Sequence, residues 1–375
     1  MKAMLLRRLV DLEKSEQPLE PAELPEPELK AGEILVRVSA CGVCHTELDE
    51  IEGRTPPPRL PVVLGHQIVG RVEKQGERAG RFRAGDRVGI GWIYSACGRC
   101  EYCLRGEENL CPEFRATGRD ANGGYAEYTV VPEAFAHPIP EVFSDTQAAP
   151  LLCAGAIGYR SLRLAGWFGV NRQARQERQG EERVVHKGIE TPNAGTGTSD
   201  SEPRALGLTG FGASGHLVLK MVRHRYPDTK VHVFARSEAE RAFALELGAA
   251  WAGDTDDVPG VLLDAVIDTT PAWKPVVAAL AVLKPGGRLV VNAIRKEETD
   301  KDALLRLDYP KHLWMEKELK SVANVTSKDI SEFLALAAEV PIRPEVQEYG
   351  LEDANQALLD LKQRRIRGAK VLVVH

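Results

Sequence analysis

The sequence lacks any apolar run approaching the roughly twenty residues that a bilayer-spanning helix needs. Its opening, Met1-Lys2-Ala3-Met4-Leu5-Leu6-Arg7-Arg8, returns to positive charge before an apolar signal segment can form. Neither a membrane association nor a secretory leader is expected. A basic excess is missing too: 49 Lys and Arg stand against 54 Asp and Glu, for a formal net charge of −5. Nucleic-acid binders carry a positive patch or stripe, so no nucleic-acid partner is expected. No internal repeat is visible. The expected location is cytoplasmic, where thiols stay reduced and clustered cysteines favour a metal over disulfides.

What is present points to two domains. A chain of 375 residues, 43% of them apolar, exceeds the roughly 100–200 residues of one ordinary core. The first half has a β rhythm, with strand candidates at Gly32–Ala40, Ile68–Glu73, Asp86–Ile90 and Tyr125–Val131 separated by Gly, Pro and charge. Short strands so spaced suggest a barrel-like domain. After Leu206 the rhythm alternates. Strands at Leu206–Thr209, Val231–Phe234, Ala265–Asp268 and Arg288–Asn292 are interleaved with helical runs to Arg225 and over Glu238–Leu247. That alternation predicts a doubly wound parallel sheet. A final apolar strand is expected at Val371–Val374. The segment 169–204 contains no aromatic residue and is crowded with Arg, Gln and Glu, then Thr, Pro, Asn, Gly and Ser. It reads as a disordered surface insertion.

The most specific chemical signal is Cys97-x2-Cys100-x2-Cys103-x7-Cys111. Four soft thiolates at this spacing close a tetrahedral zinc shell from one continuous loop. Disulfides are the competing reading, and the compartment disfavours them. Cys41, Cys44 and Cys153 remain. A catalytic zinc needs three protein ligands and one open position, and His66, after an apolar strand and beside Gly65, is the best imidazole candidate. Spacing alone does not bring residues 44, 66 and 153 together, and each has an ordinary structural reading.

Gly210, Gly212 and Gly215 form G-x-G-x-x-G between a strand and a helix, a loop whose backbone can approach a pyrophosphate at the helix N-terminus. The next strand should end near an acid if the cofactor is NAD. Val233-Phe234-Ala235-Arg236-Ser237 offers none before Glu238; Arg236 and Ser237 suit a 2′-phosphate, so NADP is favoured over NAD.

Several segments together resemble the zinc-dependent alcohol dehydrogenases of the medium-chain dehydrogenase/reductase family. They are Gly42-Val-Cys-His-Thr46, Gly65-His66, the four-cysteine loop, Gly123-Gly-Tyr-Ala-Glu127, Pro150-Leu-Leu-Cys-Ala-Gly155 and the glycine loop. The resemblance spans nearly the whole chain apart from 169–204. It implies an α/β protein with a GroES-like β-rich catalytic domain (1–154 and 325–375) and a Rossmann domain (155–324). It implies two zincs, with Cys44, His66 and Cys153 binding the catalytic one, and hydride transfer between an alcohol or aldehyde and NAD(P). Thr46 matches the hydroxyl that accepts the alcohol proton, and Asp49 stands where many members end the relay on His. His45 and Lys370 match basic positions near the pyrophosphate, and Trp92 matches a pocket-lining aromatic. Two positions depart from the commonest pattern: Gln67 replaces a Glu, and Glu47 replaces the Asp that orients the zinc histidine. The implied assembly is a homodimer or homotetramer. Competing readings are a same-fold aldehyde (enal) reductase and a catalytically silent zinc-containing binding protein.

Overall fold

The computed structural model describes residues 1–168, 203–340, 342–363 and 368–375; most of the expected insertion, 169–202, lies outside them. The chain forms two compact units, Met1–Gly158 with Ala323–His375, and Tyr159–Val322.

In chain order the first unit supplies β1 (Lys2–Leu6), β2 (Glu20–Glu23), β3 (Glu33–Val43), β4 (Val62–Val63), β5 (Gln67–Gln75), β6 (Arg87–Ile90), β7 (Ile93–Ser95), β8 (Arg115–Ala116), β9 (Tyr128–Pro132) and β10 (Ala136–Pro138). The second unit supplies β11 (Ala205–Thr209), β12 (Lys230–Phe234), β13 (Trp251–Gly253), β14 (Leu263–Asp268), β15 (Leu283–Val291) and β16 (Glu318–Ser321). The chain then returns to the first unit with β17 (Val346–Gly350) and β18 (Ala369–Val373).

In the first unit, the main sheet runs β10-β6-β5-β3-β18-β17, with β9 also paired to β3. β3 is the hinge of this arrangement. Its eleven residues pair antiparallel with β5, β9 and β18 in turn, helped by irregular register after Leu35 and Val38. Bulges of this kind bend a strand and let one strand serve several neighbours. Ile34, Val36 and Val38 of β3 pack with Ile68 and Val72 of β5, Val88 and Ile90 of β6 and Leu372 of β18 in one apolar cluster.

The second unit is a six-stranded sheet of order β13-β12-β11-β14-β15-β16, with every pairing parallel. β11 is buried at all five positions, as expected of a central parallel strand covered on both faces. Chain order proceeds outward from β11 through β12 to β13, then restarts on its other side at β14. The reversal lies between β11 and β14, and ligands of such sheets bind beyond the carboxyl ends of the strands at that point.

Candidate active site and metal centres

β3 ends at Val43, and Cys44 caps the short helix α1 (His45–Ile51). Thr46 N donates to the Cys44 sulfur (3.4 Å), and Thr46 Oγ1 lies 3.3 Å from it. Glu47 closes a capping box: its Oε2 accepts from Cys44 N (2.8 Å). Its other oxygen, Oε1, lies 2.7 Å from His66 Nδ1. One buried carboxylate therefore fixes both the cysteine backbone and the imidazole ring. His66 turns its remaining nitrogen, Nε2, toward Cys44 Sγ at 3.8 Å.

The loop carrying His66 needs glycine beneath it. Gly65 has φ +95°, and a Cβ there would come 2.4 Å from the Tyr125 ring. The Gly123-Gly-Tyr segment is thus the bed on which Gly65-His66 rests. Trp92 sets its ring edge-on to His66, centroids 4.9 Å apart. Cys153 comes from a third direction, in a widened π-helical turn, Leu151–Gly155, after a helix over Asp145–Pro150; such turns often mark functional sites.

The ligand atoms of Cys44, His66 and Cys153 all lie within 4.8 Å of one another. A tetrahedral zinc with bonds of about 2.3 Å to sulfur and 2.0 Å to nitrogen sets its ligands about 3.5–3.8 Å apart. The residues fit such an ion, with one coordination position left over. Among protein groups alone, the Cys44 thiol is pushed well up by its hydrogen bond with Cys153 and by burial and the Glu47 charge. A dication reverses that logic and deprotonates a coordinating thiol.

Cys97, Cys100, Cys103 and Cys111 form the second group, again with all four sulfurs within 4.8 Å. Cys97 Sγ is 3.9 Å from Cys103 Sγ, and the amides of Cys97 and Cys100 donate to Cys111 and Cys97 sulfurs (both 3.4 Å). Amide-to-sulfur bonds favour thiolates. Cys97 is accordingly held down at about 7 by bonds from the Arg99 and Cys100 backbones. All seven cysteines are free thiols here. The seventh, Cys41, is fully buried with Gly65 and Gly124 against its sulfur and belongs to neither group.

The glycine loop sits where the sheet order reverses. Gly210 follows β11 with φ +80°. Gly212 caps α2 (Ala213–Arg225); a Cβ there would meet nothing, and no side chain caps the helix. A helix start left without a side-chain cap suits a pyrophosphate. Gly215 keeps the helix close to the loop, since a Cβ would lie 2.8 Å from Gly210 O. Beyond β12, Arg236 and Ser237 are exposed. Ser237 Oγ accepts from Glu240 N (3.4 Å) and so caps α3 (Glu238–Glu246).

The remaining site candidates divide. His45 is exposed at the first position of α1. Asp49 is buried, and its Oδ1 accepts from Arg54 Nε. Lys370, matched to a basic position near the pyrophosphate, is 2% exposed. It donates to Gln347 Oε1 (2.9 Å) and Tyr349 Oη (2.7 Å), with Asp360 3.9 Å away. In this arrangement the Lys370 ammonium ties β18 to β17. Gln67 is buried with its side chain over Gly42, where a Cβ would strike it.

Two polar groupings escaped the sequence reading. Glu50 is fully buried behind Glu47 with neither carboxylate oxygen hydrogen-bonded. Its pKa is raised well above the usual range by burial and by the neighbouring Glu47 charge. The i, i+3 spacing on α1 was the available signal. The second, around Asp268 and Lys296, has no local sequence signature.

A Rossmann unit with a glycine-loop anion cradle and a second unit holding a three-ligand and a four-thiol group together define a zinc-type, NAD(P)-dependent oxidoreductase. Comparison with known proteins agrees. The alcohol dehydrogenase GroES-like domain model matches residues 30–141 and the zinc-binding dehydrogenase model residues 249–373. A probable alcohol dehydrogenase AdhA from Mycobacterium tuberculosis (strain CDC 1551 / Oshkosh) is 40% identical over 95% of this chain and 93% of its own length. An alcohol dehydrogenase from Geobacillus stearothermophilus is 32% identical over 94% and 95%. Among solved structures, a cinnamyl alcohol dehydrogenase from Sorghum bicolor superposes with a TM-score of 0.75 at 25% identity, covering 99% of this chain and 97% of that one. The chain belongs to the zinc-containing alcohol dehydrogenases of the medium-chain family.

Proposed function

We propose that the protein interconverts alcohols and aldehydes with NADP used in preference to NAD. In this reading Cys44, His66 and Cys153 hold a catalytic zinc, and Cys97, Cys100, Cys103 and Cys111 hold a structural one. The observation that carries it is the convergence of Cys44, His66 and Cys153 from three distant segments, with the Thr46 hydroxyl 3.3 Å from the Cys44 sulfur.

Bound zinc supplies a Lewis acid that acidifies an alcohol hydroxyl, and the nicotinamide supplies the hydride acceptor. The protein does the rest. Glu47 locks His66 so that Nδ1 faces the carboxylate and Nε2 faces the metal position. Trp92 walls one side of His66 with apolar surface, excluding water. Thr46 accepts the proton released from the alcohol while giving up its own. Asp49, the next acceptor along α1, already binds Arg54, which weakens it as a proton terminus; in this reading the proton leaves from Thr46 to water. Arg236 beyond β12 supports the NADP preference, since no acid follows that strand before Glu238. His45, exposed beside Cys44, is a basic neighbour for a phosphate.

A homo-oligomer is the proposed assembly, supported by the exposed edge of β16. Free thiols at both metal groups support a cytoplasmic setting. Among the described residues no helix is long and apolar enough to cross a membrane. The silent binding-protein reading lacks support, because such a protein has no need of Thr46, Cys44, His66 and Cys153 together.

The test is metal content per chain together with turnover on an alcohol and aldehyde panel with NAD(H) and NADP(H). Two zincs and NADP-preferring turnover are expected, with Arg236→Ala removing the preference for NADP. One zinc and no turnover with either cofactor overturns the reading.

A further inference from the structure

A buried polar cluster lies at the carboxyl end of β14. Asp268 is the last residue of β14 and is fully buried. Its Oδ1 accepts from the hydroxyl of Thr209, the last residue of β11, and from Thr270 Oγ1 (2.8 Å) and Thr270 N (3.3 Å). Its Oδ2 pairs with Lys296, whose side chain is only 8% exposed. The Lys296 ammonium also donates to the carbonyls of Thr270 (2.7 Å) and Ala272 (3.0 Å).

Two further contacts join the same pair of loops. Glu297 N donates to Pro271 O (2.7 Å), and Asp300 Oδ2 accepts from Trp273 N and Lys274 N (both 2.8 Å). The loop after β15 thus holds the loop after β14 at three places. What the held loop supports is the glycine loop. Thr269 Oγ1 donates to Thr209 O (3.0 Å) and lies 3.5 Å from Gly210 O. A Cβ on Gly210 would come 2.7 Å from Thr269 Oγ1 and 3.1 Å from Thr270 Cγ2. Thr269 and Thr270 are therefore the seat of Gly210, at the point where the sheet order reverses.

A buried ion pair is by itself weak support for stability, because its desolvation often cancels its attraction. What the pair does supply is a fixed geometry, as a fully satisfied polar network specifies one arrangement. We propose that Lys296 is a positioning residue for the nicotinamide cofactor, acting through Asp268 and the Thr269–Thr270 seat to hold Gly210 and the following helix amides in place. The proposal rests on the cofactor reading of the glycine loop given above. In this proposal Lys296 acts on the backbone that binds the ligand.

The experiment is titration of Lys296→Met and Lys296→Arg with NADPH and NADH, read by nicotinamide fluorescence without alcohol, with zinc content and alcohol KM on the same samples. Small misplacements of a binding frame are costly, so Lys296→Met should raise Kd for the cofactor about tenfold or more. Zinc per chain and the KM for alcohol should stay unchanged, and Lys296→Arg should recover part of the affinity. Folded Lys296→Met with wild-type cofactor affinity overturns the proposal. If Lys296→Met does not accumulate, Thr269→Val decides, since it removes only the hydroxyl under Gly210; unchanged affinity there overturns the proposal equally. Wild-type protein that binds neither cofactor would instead defeat the cofactor reading itself.

Discussion

Glu47 and His66 are joined at 2.7 Å between Oε1 and Nδ1, while the other Glu47 oxygen takes the Cys44 amide at 2.8 Å. One Glu47 side chain thus ties the Cys44 and His66 segments together. Partners of this kind set ring orientation and ligand basicity, and their loss costs about 10–100-fold in metal affinity or activity. Glu47→Gln should therefore lose its catalytic zinc to a chelator about 10–100-fold faster than wild type, while the four-cysteine zinc stays. Competition with a chromophoric chelator measures both steps. Equal release kinetics from wild type and variant would show that the carboxylate does not tune the site.

Thr46 and Asp49 separate two accounts of the proton's exit. If Thr46 is the acceptor, Thr46→Val should reduce kcat by about 10²-fold or more, the size of a general acid–base contribution. Thr46→Ser should retain most of the rate. Asp49→Asn should leave kcat within about threefold, because the carboxylate is already engaged by Arg54 and adds little of that contribution. Its cost should appear in the melting temperature. A kcat for Asp49→Asn as low as that of Thr46→Val would make Asp49 the terminus after all.

Stability should fall in mild acid for a reason unconnected with the metals. His137 on β10 is buried and its Nδ1 lies 3.1 Å from Ser331 Oγ. Burial, with help from the Arg81 charge, pushes its pKa down from 6.5 to about 3. A histidine with a depressed folded pKa is protonated first in the unfolded chain. The stability it contributes is complete above pH 6.5 and is lost as pH falls toward the folded value. Between pH 7 and pH 5 this linkage amounts to about 2 kcal/mol at most. Urea unfolding at both pH values, compared with His137→Gln, checks it; the variant should lose the part of the pH dependence that belongs to this group. Parallel pH slopes in the two proteins would remove His137 as the cause.

Local pattern carried much of the fold and part of the site. β11, β12 and β14 were legible because a covered parallel sheet demands short apolar runs, and Gly210 because a turn at φ +80° favours glycine. The Cys97–Cys111 ligands were legible because they lie on one loop. β2 was not: Glu-Pro-Ala-Glu is polar and contains proline, and it forms only because β1 offers an edge to pair with. The bringing together of Cys44, His66 and Cys153 was likewise invisible to spacing, since it depends on β3, β5 and the turn at Leu151–Gly155. Asp268 and Lys296 are twenty-eight residues apart on different loops, and only the sheet makes them neighbours.

The edge of the parallel sheet argues for self-association. β16 reads Glu-Leu-Lys-Ser, is exposed at all four positions, and among the described residues pairs only with β15. Unpaired strand edges are ready templates for pairing with another chain. Beside this edge, Tyr309, Leu313, Trp314 and Met315 line an open groove of about 690 Å³ with Pro285 and Gly286. Trp314 is 54% exposed and Leu319, within β16, 51%; contiguous exposed apolar surface of this kind is what an interface between copies would bury. Two copies of β16 running antiparallel about Leu319 would set Glu318 of each opposite Lys320 of the other, an attractive cross-strand pair. A dimer built on this edge is the expected outcome in sedimentation, and Leu319→Asp combined with Trp314→Ser should shift it to monomer while the chain remains folded. Wild-type protein that sediments as a monomer, or a double variant that stays dimeric, would place the interface elsewhere or remove it.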